Sequence, residues 1–554
     1  MEGVDYLAHE RNKAQFDVDE MKIVWAGSRH AFDVSDRMAR LVASDPVFQK
    51  DNRAMLSRKV LFKNTLRKAA HAWKRIIELR LSEEEANQLR SYVDEPAFTD
   101  LHWGMFVPAI KGQGTEDQQQ KWLPLAHKMQ IIGCYAQTEL GHGSNVQGLE
   151  TTATFDPATD EFVIHSPTLT SSKWWPGGLG KVSTHAVVYA RLITGGQEHG
   201  VHGFIVQLRS LDDHMPLPGI TVGDIGMKFG SGAYNTMDNG VLRFDHVRIP
   251  RNQMLMRVMQ VTREGKCVQS NVPRQLIYGT MVYVRQTIVS DASSALSRAV
   301  CIATRYSAVR RQFGSQDGGI ETQVARFLMK TVSQLGSGKK PVGTTAYMAR
   351  AEDLLQCHCI VQRAEDWSKP SVILEAFEAR AFRMCVARAQ SLSKFPNPEE
   401  GFAELSADLA EAAIAHCQLI VVSKFIEKLE QDIPGKGVKQ QLEILCNIYA
   451  LNLLHKHLGD FLSTGCITPK QASLANDHLR SLYSQVRPNA IALVDAFNYT
   501  DHYLGSVLGR YDGNVYQKLY EAAWKDPLND SVVPDGYQEY IRPMLKQQLR
   551  NARL

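Results

Sequence analysis

Residues 133–179 read GCYAQTELGHGSNVQGLETTATFDPATDEFVIHSPTLTSSKWWPGGL, and this stretch carries most of the information in the chain. Its first part gathers glycines and a serine around the hydroxyl of Thr138, and its last part places Trp174 and Trp175 before two glycines. Indole rings cover planar ligands, and glycine lets a ring or a phosphate approach the backbone closely. The stretch therefore predicts a pocket for a planar ring of the flavin type.

The sequence pattern changes on either side of this stretch. Upstream, apolar residues recur at helical spacing over 56–73 and 76–93. From about residue 133 to 250, short apolar runs are separated by turn residues, including Asp156-Pro157, Gly195-Gly196 and Gly230-Ser231-Gly232. The predicted strands are 161–165, 186–190, 203–207 and 240–244. From about residue 274 the pattern is helical again, with a glycine-rich linker over 336–343.

These changes predict an α+β multidomain protein. We expect a helical N-terminal domain over 1–132 and a central β-barrel or β-sandwich domain over 133–270. A helical bundle over 271–336 and a helical C-terminal domain over 344–554 follow. A chain of 554 residues is long enough for about three to four such domains.

One predicted helix, from about Tyr278 to Gln312, is long and unusually apolar. It carries two apolar stripes: Ile288, Ala292, Ala295, Ala299 and Ala303, and Val289, Leu296 and Val300. Two stripes require partners on more than one side, and serines at 293, 294 and 297 allow a neighbouring helix to approach. We expect this helix to be the central member of a bundle.

The composition is that of an ordinary globular protein. Charged residues make up 22% of the chain and the net charge is +4, which does not indicate nucleic-acid binding but suits an anionic small substrate. The nine cysteines are scattered and the N-terminus has no apolar signal core, so we expect a reducing compartment and no disulfides. The most apolar stretch, 412–425, is too short to span a bilayer, and we expect no membrane span.

Two short motifs have a possible functional interpretation. Cys357-His358-Cys359 has no second ligand pair at a usable spacing, so we expect a buried helix there rather than a metal site. The chain ends in Ala552-Arg553-Leu554, which is similar to the Ser-Lys-Leu type of peroxisomal address. The alternative is a frayed basic tail.

Four features together resemble the peroxisomal acyl-CoA oxidases, flavoproteins related to the acyl-CoA dehydrogenases, and the plant long-chain type most closely. They are CYAQTELGHGSN at 134–145, SSKWWPGGLGKVSTHAVVYARL at 171–192, SAVRRQFG at 307–314 and the peroxisomal ending. The resemblance implies FAD as cofactor and a homodimer, with fatty acyl-CoA and O2 as substrates and trans-2-enoyl-CoA and hydrogen peroxide as products. This reaction is the first step of peroxisomal β-oxidation. In the family a carboxylate base removes the α proton while hydride leaves the β carbon for the flavin.

The resemblance also implies roles for individual residues. Thr138 and Gly177 match flavin contacts, with Trp174 and Trp175 beside the ring. Arg310 and Gln312 match residues that reach the flavin pyrophosphate of the other subunit. Ser144 matches a contact to the CoA portion, and Arg274 is expected to bind CoA phosphate. Each has a plainer alternative: threonine at a strand edge, tryptophans in a core, or arginines that complement a helix dipole.

The family pattern breaks after Thr322. Relatives continue there into further bundle helices, a Gly-Gly-His-Gly element and a Tyr-Glu-Gly-Asp segment that holds the catalytic base. Here residues 325–330 follow at once, so roughly a hundred residues are absent, an appreciable fraction of a domain. The chain contains no Tyr-Glu-Gly, and its catalytic residue is therefore unknown. Glu321 as a replacement has no support beyond its proximity in sequence.

Three interpretations stay open for a chain with such an in-frame deletion. The first is an acyl-CoA oxidase by descent whose activity is impaired. The second is a non-catalytic partner that forms a heterodimer with a full-length oxidase. The third is an unstable splice product, because the long helix would lose its bundle partners and expose an apolar face.

Overall fold

The computed structural model describes residues 8, 12, 17–50, 56–228, 234–272, 279–309, 323–433, 437–495, 508–510 and 512–546. The chain divides into two compact units, one formed by Met1–Val309 with Asp501–Leu554 and the other by Arg310–Thr500. The first unit combines helices with β-sheets, and the described part of the second contains helices without strands. The expected α+β multidomain architecture is confirmed.

The first unit opens with helices. They are Val18–Ala26, Arg29–Ser44, Arg58–Glu78, Glu83–Val93, Phe98–Leu101, Val107–Gln113 and Glu116–His127, with a π-helical turn at His102–Phe106. The two amphipathic runs predicted over 56–93 meet at 79–82 because Ser82 and Glu85 form a capping box that starts a new helix.

His102 connects these helices to the β region. Its ring is fully buried, and Nδ1 accepts the Gly133 N–H at 3.0 Å while Nε2 lies 3.0 Å from the Ala126 carbonyl. This arrangement suits the neutral imidazole, and burial lowers the pKa of His102 to about 4. The first strand therefore begins where an uncharged histidine binds its backbone.

Eleven strands follow in the described residues. They are β1 Gly133–Ala136, β2 Thr152–Asp156, β3 Glu161–His165, β4 Lys173–Trp174, β5 His185–Thr194, β6 Gln197–Gln207, β7 Ile220–Asp224, β8 Gly240–Phe244, β9 Val247–Pro250, β10 Met259–Val261 and β11 Cys267–Gln269. The main sheet has the order β1-β5-β2-β3-β9, with β6 on the other edge of β5, and β4-β8-β7 form a second sheet. The four predicted strands are confirmed; the turn expected at 230–232 lies outside the described residues.

Strand β5 explains how the β region is held. Its alternate residues Ala186, Val188, Ala190 and Leu192 enter a core shared by both sheets. Val187 and Tyr189 point the other way, into a core with the N-terminal helices. Because both faces are covered, the strand is an almost continuous apolar run rather than an alternating one.

The end of the chain returns to the first unit. Helices Val515–Ala523 and Arg542–Lys546 flank a segment whose Leu528, Tyr537 and Ile541 share a core with Phe62 and Leu66. Arg58 joins the same parts: its guanidinium lies 2.6 Å from Asp224 Oδ1 and 2.5 Å from Asp526 Oδ1, with all three side chains buried. The C-terminal segment is thus a structural part of the N-terminal core.

The long helix of the first unit spans Gly279–Val309. Its apolar side chains Ile288, Val289, Leu296 and Val300 are 56%, 73%, 65% and 54% exposed. The expectation of a central bundle helix is therefore wrong for this chain, and the exposure expected from a missing segment is confirmed.

The second unit is helical. Its helices are Gln323–Gly336, Ala351–Gln356, Pro370–Leu392, Pro398–Glu404, Ser406–Glu430, Val438–Lys456, Leu458–Ser463, Pro469–Val486 and Ala490–Asp495. One helix, Ser406–Glu430, has the length and mean hydropathy (1.5) that would allow it to cross a membrane. It is longer than the apolar stretch 412–425 predicts, and its inner face, with Leu409, Leu419 and Val422, is buried in the core of this unit.

The motif Cys357-His358-Cys359 is not helical, which corrects the expectation of a buried helix. The preceding helix ends at Gln356. The Cys359 N–H donates to the Cys466 carbonyl at 2.9 Å, and its own carbonyl accepts from the Gln471 amide at 2.5 Å. These bonds to other elements replace the bonds that a continued helix would make.

Candidate active site

The two segments of the 133–179 stretch lie side by side. Glu139 and Lys173 form an antiparallel bridge, and the Trp174 N–H donates to the Thr138 carbonyl at 3.0 Å. Two further backbone bonds continue this pairing, from the Leu140 N–H to Ser172 at 2.8 Å and from the Gly141 N–H to Thr170 at 3.0 Å. The structure therefore brings Thr138 next to the tryptophan pair.

Thr138 and Trp175 present free surface at this place. Thr138 is half-buried, and its hydroxyl has no hydrogen-bond partner among the described residues. Trp175 is 45% exposed and its backbone has a φ of +89°, which a non-glycine residue rarely adopts. Its amide donates to Gly240 at 3.0 Å and its carbonyl accepts from Asn239 at 2.6 Å, so the strained backbone is fixed from both sides. A polar hydroxyl beside an exposed indole suits the edge of a planar ring.

Gly177 has a different environment. It is buried, and a Cβ there would lie 2.7 Å from Leu101 Cδ2 and 2.9 Å from Met237 Sδ. The protein itself thus requires a glycine at this position for packing. Any contact from Gly177 to a ligand would come from its backbone.

The loop after Gly177 is held by two buried charges. Asp238 Oδ2 accepts the N–H groups of Lys181 and Val182 at 2.8 and 3.0 Å, and burial raises the pKa of this carboxyl to about 6. The Arg209 guanidinium donates to three carbonyls, those of Leu179, Gly180 and Ser183. The loop that carries the glycines is consequently rigid at its base.

Sequence reasoning missed two charged residues beneath the motifs. Glu139 and Lys173 form an ion pair with an Nζ–Oε1 distance of 3.0 Å, and both side chains are fully buried. Burial lowers the pKa of Lys173 to about 8. The signal that was available in the sequence is a charged residue beside the predicted flavin contacts in each motif: Glu139 follows Thr138, and Lys173 precedes the two tryptophans.

Ser144, the predicted substrate contact, lies in the loop that follows the first motif. It is exposed, and the loop turns there because the Val146 N–H donates to the Ser144 carbonyl at 3.1 Å. Nearby, His142 Nε2 and Glu150 Oε1 are 2.8 Å apart and tie the two ends of the loop together. The Ser144 hydroxyl is accessible to a ligand.

Three other predicted site residues lie outside the described residues: Arg274, Arg310 and Gln312. The tripeptide Ala552-Arg553-Leu554 also lies outside them. These predictions stay predictions.

One cluster of side chains has metal-binding groups. The ligand atoms of His165, Asp245 and His246 lie within 4.8 Å of one another. The two imidazole rings are stacked, with centroids 4.0 Å apart and planes at 24°, so their lone pairs lie in two nearly parallel planes rather than in planes that meet at a common ion. Without a rotation of one ring, this cluster does not form a coordination cage.

A helical domain, a β domain with paired flavin-type motifs and further helices define an acyl-CoA dehydrogenase-like flavoprotein. Sequence profiles agree: the acyl-CoA dehydrogenase middle domain matches 134–247. The acyl-coenzyme A oxidase N-terminal domain matches 17–132, the acyl-CoA oxidase C-alpha1 domain 278–335 and the acyl-CoA oxidase domain 369–546.

The chain belongs to the acyl-CoA oxidase family. It is 68% identical to peroxisomal acyl-coenzyme A oxidase 1 of Arabidopsis thaliana, with all of both chains covered, and 36% identical to the rat protein of that name, with 97% of this chain and 99% of the rat chain covered. Among solved structures, Arabidopsis thaliana acyl-CoA oxidase 1 is 67% identical with a TM-score of 0.58, covering 99% of this chain and 100% of its own. Acyl-CoA oxidase-2 of Caenorhabditis elegans, bound with FAD, ascaroside-CoA and ATP, is 28% identical with a TM-score of 0.55, covering 100% of this chain and 99% of its own. The family expected from the motifs is confirmed.

The alignment with the Arabidopsis protein also measures what this chain lacks. It runs over 664 positions and covers both chains completely, whereas this chain has 554 residues, so 110 aligned positions have no residue here. A gap of this size agrees with the break in the family pattern.

Proposed function

We propose that this chain is an FAD-dependent acyl-CoA oxidase of peroxisomal β-oxidation. The reaction converts fatty acyl-CoA and O2 to trans-2-enoyl-CoA and hydrogen peroxide. The pairing of the two motif segments in a member of this family is the observation that carries the proposal. Bound FAD would supply the hydride acceptor for this chemistry and the route by which electrons reach O2.

The cofactor residues of the proposal are Thr138, Trp175 and Gly177, together with Arg310 and Gln312. Their fit is supported by the Thr138 hydroxyl, which has no hydrogen-bond partner in the part of the chain that the structure describes, and by the exposed indole of Trp175 next to it. A hydroxyl at this place can donate to a ring edge that gains negative charge. Gly177 has no side chain and contributes through its backbone. Leu101 and Met237 occupy the space that a Cβ at this position would need.

The substrate residues of the proposal are Ser144 and Arg274, for the CoA portion. Ser144 is supported by its exposed position in the loop after the first motif. The domains that we propose for this enzyme are 1–132, 133–270, 271–336 and 344–554. We further propose that Ala552-Arg553-Leu554 binds the peroxisomal import receptor as a free C-terminus.

The proposal includes a loss of catalytic power in this chain. We propose that most of the 110 unmatched positions fall after Thr322, where the family pattern breaks and where relatives carry the segment with the base. Without a general base, the rate falls by about two to four orders of magnitude. Cofactor binding on the Thr138 side does not depend on that base.

The experiment uses the purified full chain and a chimera with the Arabidopsis segment inserted between Thr322 and Gln323. We expect both proteins to be yellow with FAD, and the chimera to release peroxide from a long-chain acyl-CoA about 10²–10⁴ times faster. A colourless chain that gains no flavin spectrum on titration with FAD would contradict the cofactor site. Equal peroxide rates for the two proteins would contradict the loss of the base.

We also propose that the chain forms a dimer, either with itself or with a full-length oxidase. The exposed apolar stripe of the helix Gly279–Val309 supports an association that would cover it. Co-expression with a tagged full-length relative tests this: we expect the chain to co-purify with it, and a monomer in gel filtration with no co-purification would contradict it.

A further inference from the structure

The buried Glu139–Lys173 ion pair lies close in sequence to two of the proposed cofactor residues, Thr138 and Trp175. Glu139 follows Thr138 in the chain, and Lys173 precedes Trp174 and Trp175. Both charged side chains have no exposed surface, and they bridge the same two segments that the backbone bonds pair. Movement of either charge would therefore move a residue of the site.

Lys173 uses all of its hydrogen-bonding capacity inside the protein. Its ammonium donates to Glu139 Oε1 at 3.0 Å, to the Gln137 carbonyl at 3.1 Å and to the Tyr189 carbonyl at 2.7 Å. An ammonium has three donors, and each has a partner here. The first motif is thus connected to β5, the central strand of the main sheet.

Glu139 has a matching set of partners. Its Oε1 accepts from the Thr151 N–H at 3.0 Å and from the Thr151 hydroxyl at 2.6 Å, and its Oε2 accepts from the Glu150 N–H at 2.8 Å. With Lys173, the carboxylate joins four backbone segments: 137–141, 150–151, 170–174 and β5. Apolar side chains of equal volume would fill the space without fixing these segments in direction.

A second buried pair in the same unit provides a reference. Lys68 and Glu95 are 2.6 Å apart and almost completely buried, but they lie among the N-terminal helices. Among the described residues, the Lys68 ammonium donates to Glu95 alone, and the Glu95 carboxylate accepts one further bond, from the Thr65 hydroxyl at 3.4 Å. The two pairs have the same charges and similar burial. Comparing variants of the two pairs therefore separates the loss of stability on breaking any buried pair from the effect of this pair's position near the site.

We propose that Glu139 and Lys173 are positioning residues for the flavin: the pair fixes the separation of Thr138 from Trp174 and Trp175. The inference rests on the proposed function, which assigns Thr138 and Trp175 to the cofactor. Both side chains are fully buried, so the pair acts through the two segments that it joins.

The experiment compares Lys173→Met with Lys68→Met in the full chain. Hydrogen exchange of the cofactor-free proteins is measured by mass spectrometry over 137–141 and 170–175, and FAD affinity by titration of the flavin spectrum. We expect Lys173→Met to speed exchange in both segments by about tenfold or more, and to weaken FAD binding by about tenfold or more. Lys68→Met should lower the melting midpoint but leave both quantities at wild-type values.

The double variant Glu139→Gln/Lys173→Met covers the case in which Lys173→Met does not fold. It leaves no buried charge unpaired, so we expect it to fold and still lose protection in both segments. Wild-type exchange and FAD affinity in the double variant would overturn the proposal, as would equal effects of Lys68→Met and Lys173→Met. A third outcome separates the two proposals. If the wild-type chain binds no FAD, but hydrogen exchange over 137–141 and 170–175 rises with Lys173→Met and not with Lys68→Met, the proposed function is wrong while the role of the pair in holding the two segments together is supported.

Discussion

Strand β5 and the helix Gly279–Val309 are both strongly apolar, yet the first is buried on both faces and the second is exposed over most of its described length. The strand finds its partners within 133–261 and in the N-terminal helices. The apolar stripes of the helix require partners that the described chain does not supply. An apolar pattern therefore predicts the element, but its burial depends on segments elsewhere in the chain.

The largest expected effect comes from the same substitution in the two regions. Leu192 in β5 has no exposed surface, whereas Leu296 in the helix is 65% exposed. Leu192→Ala should lower the free energy of unfolding by about 2–5 kcal/mol, because it leaves a cavity in the shared core. Leu296→Ala should change it by less than about 0.5 kcal/mol. Urea unfolding followed by circular dichroism measures both values, and a loss above about 1 kcal/mol for Leu296→Ala would mean that this face is covered.

A second expected effect distinguishes the regions by pH. The pKa of His102 is about 4 in the folded protein, below its ordinary value, so the neutral ring favours the folded state. The neutral ring contributes about 3 kcal/mol to the free energy of unfolding. This contribution is fully present above pH 6.5 and is lost as the pH falls towards 4. The helix contains no histidine and should show no such dependence.

The test is the stability of the wild type relative to His102→Gln at pH 7.5 and at pH 4. Taking the difference between the two proteins removes the titration of all other groups. We expect the advantage of the wild type to shrink by about 3 kcal/mol at the lower pH. An advantage that is the same at both pH values would mean that the buried ring is already protonated or is not needed.

The smallest expected effect on stability is at Val289, which is 73% exposed on the helix. Val289→Glu should change the free energy of unfolding by less than about 0.5 kcal/mol, but it should reduce aggregation because it interrupts the apolar face. Light scattering of concentrated protein measures this, with Ser294→Glu on the same helix as control. Increased aggregation or lost helicity would indicate that Val289 is packed against a partner.

Much of the fold could be predicted because its signals are local. The strand at 161–165 is bounded by turn residues, and the motifs at Thr138 and Trp174 identify the family. The Glu139–Lys173 pair could not be predicted, because two charges 34 positions apart reveal their contact only after the chain folds. The same holds for Arg58 with Asp224, 166 positions away. At Gln356 the apolar pattern continues, but bonds to Cys466 and Gln471 end the helix.

The return of the C-terminal segment has a consequence for synthesis on the ribosome. Phe62 and Leu66 share their core with Ile541 and Leu545, so the first unit cannot complete this core until almost the whole chain has emerged. Domains usually fold from the N-terminus onwards as they are made. Here the second unit, which is continuous in sequence, can finish first, and the N-terminal helices must wait with apolar side chains uncovered. Translation that stops before residue 512 would leave a product in which this core is open.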